Sequence, residues 1–188
     1  MSARRSAAAL RIADCTPMAK VTVRASPYGP VLGELTERSG VPFGRAVRGP
    51  GGWLVAGVVP GGWLLIDEPG SASTLIGTAN EIAGDGPATI TEVTHASVLL
   101  LLTGPAAPLL LAKISLVDLD DQVVPTGTVL RTAVAGVTTS IIRDDQGDAG
   151  GHRSYLLLAD RSYGGYLFDV LLDAGAEQGI EVDGVARG

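Results

Sequence analysis

Few residues in this sequence have the chemistry for a reaction. The chain of 188 residues holds one cysteine and two histidines. Cys15 has only Arg11 as a nearby basic neighbour, which is a poor setting for a reactive thiolate. A single cysteine also makes neither an internal disulfide nor a CxxC metal knuckle. His95 precedes an apolar run. As a general base it would need an activated nucleophile and an orienting carboxylate. Ser97 and Asp118 are of the right types, but their spacing does not require a triad, and no GxSxG elbow is present. His95 is expected as a turn histidine, and His152, beside Gly151 and Arg153, as a loop residue.

The acidic groups fare no better. Asp144-Asp145-Gln146-Gly147-Asp148 lacks the alternating ligands and terminal Glu of a calcium loop. Asp118, Asp120 and Asp121 have no second acidic cluster close in sequence. Both read as solvated turns. The glycine-rich runs 49–52, 60–62 and 147–151 match neither GxxxxGK[ST] nor a GxGxxG that opens a helix after a strand. The residues therefore nominate no catalytic, cofactor-binding or metal-binding site in this chain.

The elements that would position any site follow from periodicity and punctuation. Lys20–Ala25 alternates Val21 and Val23 with Thr22 and Arg24, a half-buried strand. Residues 29–52 are rich in Gly and Pro and read mostly as loop, with one short helical turn near 32–38. Gly51-Gly52-Trp53-Leu54-Val55 and Gly61-Gly62-Trp63-Leu64-Leu65 are near duplicates around Pro60, a hairpin signal. The two tryptophans either anchor an interface or cap the core at the strand starts. A helix is expected over 71–83, from Leu75, Ile76, Ala79, Ile82 and Ala83 at helical spacing, and Gly84 to Pro87 end it.

The apolar window 98–117 has the length of a membrane span. Gly104-Pro105 and Pro108 interrupt it, and its flanks are acidic rather than basic. It reads instead as a strand ending at Leu102 and a helix starting near Pro105. Strands follow at 128–134, 137–143 and 155–159, then a helix from Ser162 to Gln178 with Gly179 as its C-terminal glycine. These elements predict an α+β fold with mostly antiparallel sheets and packed helices. Residues 1–18 are expected as a flexible arm, because Arg11 and Asp14 break the short apolar run and rule out a signal peptide. Residues 19–185 are expected as one domain.

Composition narrows the function classes. Net charge is −6, and no Lys/Arg cluster reaches the density of a nucleic-acid footprint. Charged residues are only 18% of the chain. Either another chain covers part of the surface, or Ala, Gly and Val simply dilute the charge. With no disulfide framework, the cytoplasm is the expected compartment.

From Thr91 to Gly179 the order of motifs is informative. Thr91-Glu92-Val93-Thr94-His95 is followed by Leu102-Thr103-Gly104-Pro105-Ala106, Ala112-Lys113, Val117-Asp118-Leu119 and Pro125-Thr126-Gly127-Thr128. Tyr155-Leu156-Leu157-Leu158 comes next, then Arg161-Ser162-Tyr163 and Leu167-Phe168-Asp169-Val170-Leu171-Leu172-Asp173-Ala174-Gly175. This series resembles the folate-binding aminomethyltransferase (glycine-cleavage T-protein) superfamily, and within it the gamma subunits of heterotetrameric sarcosine oxidases. The resemblance implies the T-protein fold and a non-catalytic subunit of a complex that demethylates sarcosine to glycine and passes the one-carbon unit to tetrahydrofolate. It implies alpha, beta and delta partners, chiefly the folate-binding domain of alpha. FAD, FMN, NAD, tetrahydrofolate and zinc would then reside in those partners. The superfamily's catalytic aspartate falls on no assignable residue here, and the KGCYxGQE signature of the related iron–sulfur-maintenance proteins is missing. Two alternatives share the motifs: a gamma subunit serving another N-methyl amine (dimethylglycine, a betaine or N-methylglutamate), and a free-standing folate-binding protein.

Overall fold

The computed structural model describes residues 9–28, 30–145 and 152–183, with Pro30 and Val31 described by backbone alone. The expected arm through residue 8, the whole 147–151 glycine run and the last residues of the expected domain lie outside this range. Leu10–Asp14, placed by sequence within the arm, forms strand β1, with Leu10 and Ile12 fully buried. The short alternation Leu10-Arg11-Ile12 is enough to make a strand once two neighbours flank it.

Next come β2 (Ala19–Ala25), α1 (Pro30–Ser39) and β3 (Ala46–Arg48). The expected short turn near 32–38 is thus a full ten-residue helix. The hairpin of β4 (Leu54–Val59) and β5 (Gly62–Asp67) turns at Pro60 and Gly61. Helix α2 (Ala72–Ala83) buries Leu75, Ala79, Ile82 and Ala83 on one face. Strands β6 (Ala88–Glu92) and β7 (Ser97–Thr103) follow.

Gly104, at φ +124°, then breaks the apolar run. A Cβ there would lie 2.4 Å from the Ala9 carbonyl oxygen, so only glycine fits. Helix α3 (Ala107–Ile114) starts beyond Pro105, with Pro108 in its first turn, where a missing N–H costs nothing. Strands β8 (Val129–Val134) and β9 (Val137–Arg143) meet at the two-residue turn Ala135-Gly136, both with positive φ, the backbone twist a tight hairpin favours. Then come β10 (Ser154–Asp160), α4 (Gly164–Gly175) and β11 (Ile180–Val182), with Gly179 left-handed before β11.

Two sheets result. The first runs β11-β1-β7-β10-β9-β8, the second β3-β4-β5-β2-β6. All named pairings are antiparallel except β1 with β11. Backbone bonds stitch the sheets at one corner: Val129 N–H donates to Gly44 O at 2.9 Å, and Ala46 N–H to Gly127 O at 2.8 Å.

The layers are helices, sheet, sheet, helices. Val98, Leu100 and Leu102 of β7 face α3 and α4, where Leu110, Leu111, Leu167 and Leu171 meet them. Leu99 and Leu101 face the other sheet, alongside Ile142, Leu156, Leu64 and Ile66. Val21, Val23, Trp63 and Leu65 of the second sheet pack on Leu35 of α1 and on α2. A strand buried on both faces is apolar at every position, which is why the β7 segment resembles a membrane span. Among the described residues, no helix is long and apolar enough to cross a membrane.

Candidate functional site

The residues weighed for chemistry do not converge. Cys15 is half-buried beside Lys20; burial, then Asp14, pushes its thiol up to about 11, so it stays protonated near neutral pH. His95 lies exposed in the turn between β6 and β7, and His152 is exposed just before β10. No hydrogen bond links Ser97, His95 and Asp118; the Asp118 carboxylate instead accepts from Asp120 N–H at 3.0 Å, an ordinary turn contact. Among the described residues no group of three His, Cys, Asp or Glu is placed to hold a metal.

The acidic residues that read as solvated turns are largely structural partners. Arg143, with only 6% of its side chain exposed, pairs with Asp145 at 2.8 Å and Asp121 at 2.6 Å, and donates to Val124 O at 2.6 Å. Asp121 also meets Arg153, and its hydrogen bonds from Arg143 and Arg153 hold its carboxyl below the usual range. Asp144 takes Arg48 of β3 at 2.5 Å, tying the two sheets together. Asp148 lies outside the described residues. Both tryptophans serve the core. Trp63 is buried and donates its Nε1–H to Val41 O at 2.7 Å. Half-buried Trp53 packs so closely over Gly49 that a Cβ there would fall 2.3 Å from the indole.

The concavity that stands out lies between the sheets. Past the packed centre their facing surfaces part into an open cleft of about 670 Å³, within the range of ligand and recognition sites. Its floor is apolar, with Val58, Leu64 and Leu158. One wall comes from β2 and β6, bearing Thr22, Arg24, Thr89 and Thr91; the other from β8 and β9, bearing Arg131, Thr138 and Ser140. Arg131 donates to Ser140 Oγ at 3.5 Å, and neither Arg24 nor Arg131 makes an ion pair with a described residue. Asp160 also lines the cleft, but its Oδ1 accepts from Ser162 N–H at 2.9 Å and Oγ–H at 2.6 Å. Those bonds hold its carboxyl below the usual range.

Chemically the cleft offers two opposed guanidinium groups and a rim of hydroxyls. That set binds carboxylate or phosphate oxygens; it contains no nucleophile paired with a base. Sequence reading did not single out the cleft. Its residues come from eight strands, β2 and β4 to β10, and the available signal was weak: polar residues at alternate positions of β2, β6 and β9.

No protein-family model matches the chain, and no curated protein matches it by sequence. Solved structures do match. One is the heterotetrameric sarcosine oxidase from Corynebacterium sp. U-96 in complex with pyrrole 2-carboxylate, with TM-score 0.73 and 21% identity over 93% of this chain and 88% of that chain. Another is the glycine cleavage system aminomethyltransferase T from Bartonella henselae, with TM-score 0.67 and 16% identity over 93% of this chain but 48% of that one. This chain therefore spans about half the length of the aminomethyltransferase. The likenesses establish the fold: α+β, with mostly antiparallel sheets, in the architecture these two solved structures share.

Proposed function

We propose that this chain is a non-catalytic, gamma-type subunit of a multi-chain oxidase that demethylates sarcosine to glycine, with the one-carbon unit passing to tetrahydrofolate. The observation that carries the reading is reciprocal coverage. The likeness takes in 93% of this chain and 88% of a chain from the heterotetrameric sarcosine oxidase, whereas the aminomethyltransferase is matched over only 48% of its length. The neighbour matched over most of its own length, and with the higher TM-score, is the better counterpart. The dispersed chemistry supports the same assignment, since a protonated Cys15, an exposed turn histidine and ion-paired aspartates supply no reaction centre. On this reading FAD, FMN, NAD, tetrahydrofolate and zinc belong to alpha, beta and delta partners in the cytoplasm, and this chain meets chiefly the folate domain of alpha.

The test is co-expression with the flavoprotein chains of such a complex. The chain should co-elute with them, the assembled complex should oxidise sarcosine, and the isolated chain should carry no flavin. A chain that stays apart from those partners would refute the reading. Calorimetric binding of tetrahydrofolate to the isolated chain tighter than about 1 μM, roughly −8 kcal/mol, would replace it with a free-standing folate-binding protein. Activity of the complex on another N-methyl amine in preference to sarcosine would correct the substrate alone.

A further inference from the structure

Five of the eleven described Lys and Arg side chains pair with a described carboxylate. Arg11 meets Glu181, Arg48 meets Asp144, Lys113 meets Glu177, and Arg143 and Arg153 share Asp121. Arg24 and Arg131, like Lys20, Arg38, Arg45 and Arg161, make no ion pair with a described residue, and these two lie on opposite walls of the cleft, whose Asp160 is hydrogen-bonded by Ser162. Two guanidinium groups against the single carboxylate of Asp160 leave the cleft lining net positive on a chain of net charge −6.

The surroundings favour a polypeptide over a small anion. Both walls end in edge strands, β6 and β8. Val93 N–H donates to Lys20 O, and Thr91 lies opposite Thr22. That register turns the backbone amides of Ile90 and Glu92 away from β2, towards an open edge that can accept another strand. Apolar groups continue past the cleft. Tyr163 lines it and is 49% exposed; Tyr166, 51% exposed, donates its hydroxyl to Ala135 O at the β8–β9 turn. Leu116 is fully exposed, next to Ser115, which bridges to Val134 of β8. A small molecule seated between the arginines would leave Tyr166 and Leu116, which do not line the cleft, uncovered. Tyrosine, arginine and an apolar rim together are the composition of a protein interface centre.

We propose that this cleft docks an acidic segment of a partner chain, its carboxylates reaching Arg24 and Arg131 and its apolar side chains covering Tyr163, Tyr166 and Leu116. The inference rests on the accessory-subunit reading and names the face that reading leaves open.

The experiment is the co-expressed complex with the wild-type chain, with Arg24→Glu/Arg131→Glu, and with Arg24→Gln/Arg131→Gln. Because neither arginine makes an ion pair with a described residue, the circular-dichroism melt of both variants should match wild type. The glutamate pair should weaken association at least about tenfold and the glutamine pair less, and added salt should weaken wild type more than either variant. If the wild-type complex forms and the glutamate pair binds as tightly, the docking inference is overturned while the subunit reading stands. If wild type forms no complex, both fall. If succinate or inorganic phosphate raises the melting temperature of the isolated wild-type chain but not of the glutamate pair, the cleft is a small-anion site and the docking inference is likewise overturned.

Discussion

Lys20 allows a quantitative test of the space between the sheets. Its side chain is fully buried, and its ammonium donates to Thr16 O at 2.7 Å and Met18 O at 2.9 Å, with no carboxylate in ion-pair contact. Burial, then the charge of Arg161, lowers its pKa from 10.5 to about 8. The unfolded chain holds its lysine proton up to the ordinary value, so between pH 8 and 10.5 the unfolded state binds more protons. Stability must then rise with pH through that window, and the penalty is fully present below pH 8. At about 1.4 kcal/mol per pKa unit, the whole rise is on the order of 3 kcal/mol. Cys15 acts in the opposite sense. Its thiol is raised from 9.0 to about 11, so its contribution is complete below pH 9 and is lost as pH climbs through 11. The wild-type curve should therefore climb from pH 8 to 9 and flatten above it, whereas Cys15→Ala should keep climbing to pH 10. Urea midpoints at half-unit pH steps read this directly. Lys20→Met should abolish the climb. Its absolute stability is less diagnostic, because two carbonyls lose their donor at about 1–3 kcal/mol each. A flat or falling profile for Cys15→Ala between pH 8 and 10, or the same slope in Lys20→Met, would refute the assignment of a strained buried ammonium.

Two further outcomes follow from packing. Gly104→Ala should destabilise by more than about 1 kcal/mol, since its Cβ would meet the Ala9 carbonyl at 2.4 Å and its φ is +124°; the urea midpoint measures it, and an unchanged midpoint would mean that Ala9 and β1 do not hold that position. Ile12→Ala should cost about 2–5 kcal/mol, because Ile12 is fully buried between β7 and β11; a loss near zero in thermal or urea melts would return these residues to a flexible arm.

What the sequence revealed depended on whether the deciding interaction was local. The β7–α3 break was legible because Gly104-Pro105 acts within a few residues, and the β4–β5 hairpin because Pro60-Gly61-Gly62 does the same. Strand β1 was not, since five residues with two buried positions become a strand only beside β7 and β11. Strand β11 is worse still: three residues, two of them exposed, whose one named pairing is with β1 at the other end of the chain. The length of α1 was hidden by Gly33 and by the proline and glycine residues on either side. Asp121 and Asp144 looked like solvent-facing turn residues because their arginine partners lie 22 to 96 positions away.

The cleft shows how a site can be written in a pattern that looks like ordinary amphipathic strand. On β2 the face towards the other sheet runs Lys20, Thr22, Arg24, from fully buried to exposed. On β9 the corresponding face runs Ile142, Ser140, Thr138, and on β10 it runs Leu156, Leu158, Asp160, again from the packed centre to the cleft. The two sheets therefore change from apolar to polar along matching directions on surfaces that face each other. Sheets selected only to pack together would keep Leu, Ile or Val at these inward positions, because burying an unpaired hydroxyl or guanidinium is costly and burying an aliphatic group is favourable. Polar residues here line an open gap with hydroxyl and guanidinium groups, a lining suited to an occupant of complementary charge. In a single strand that sequence means only that one face is polar. Its meaning as a cleft depends on which face the partner sheet covers, and that is fixed by the corner where Gly44 and Ala46 bond to Val129 and Gly127.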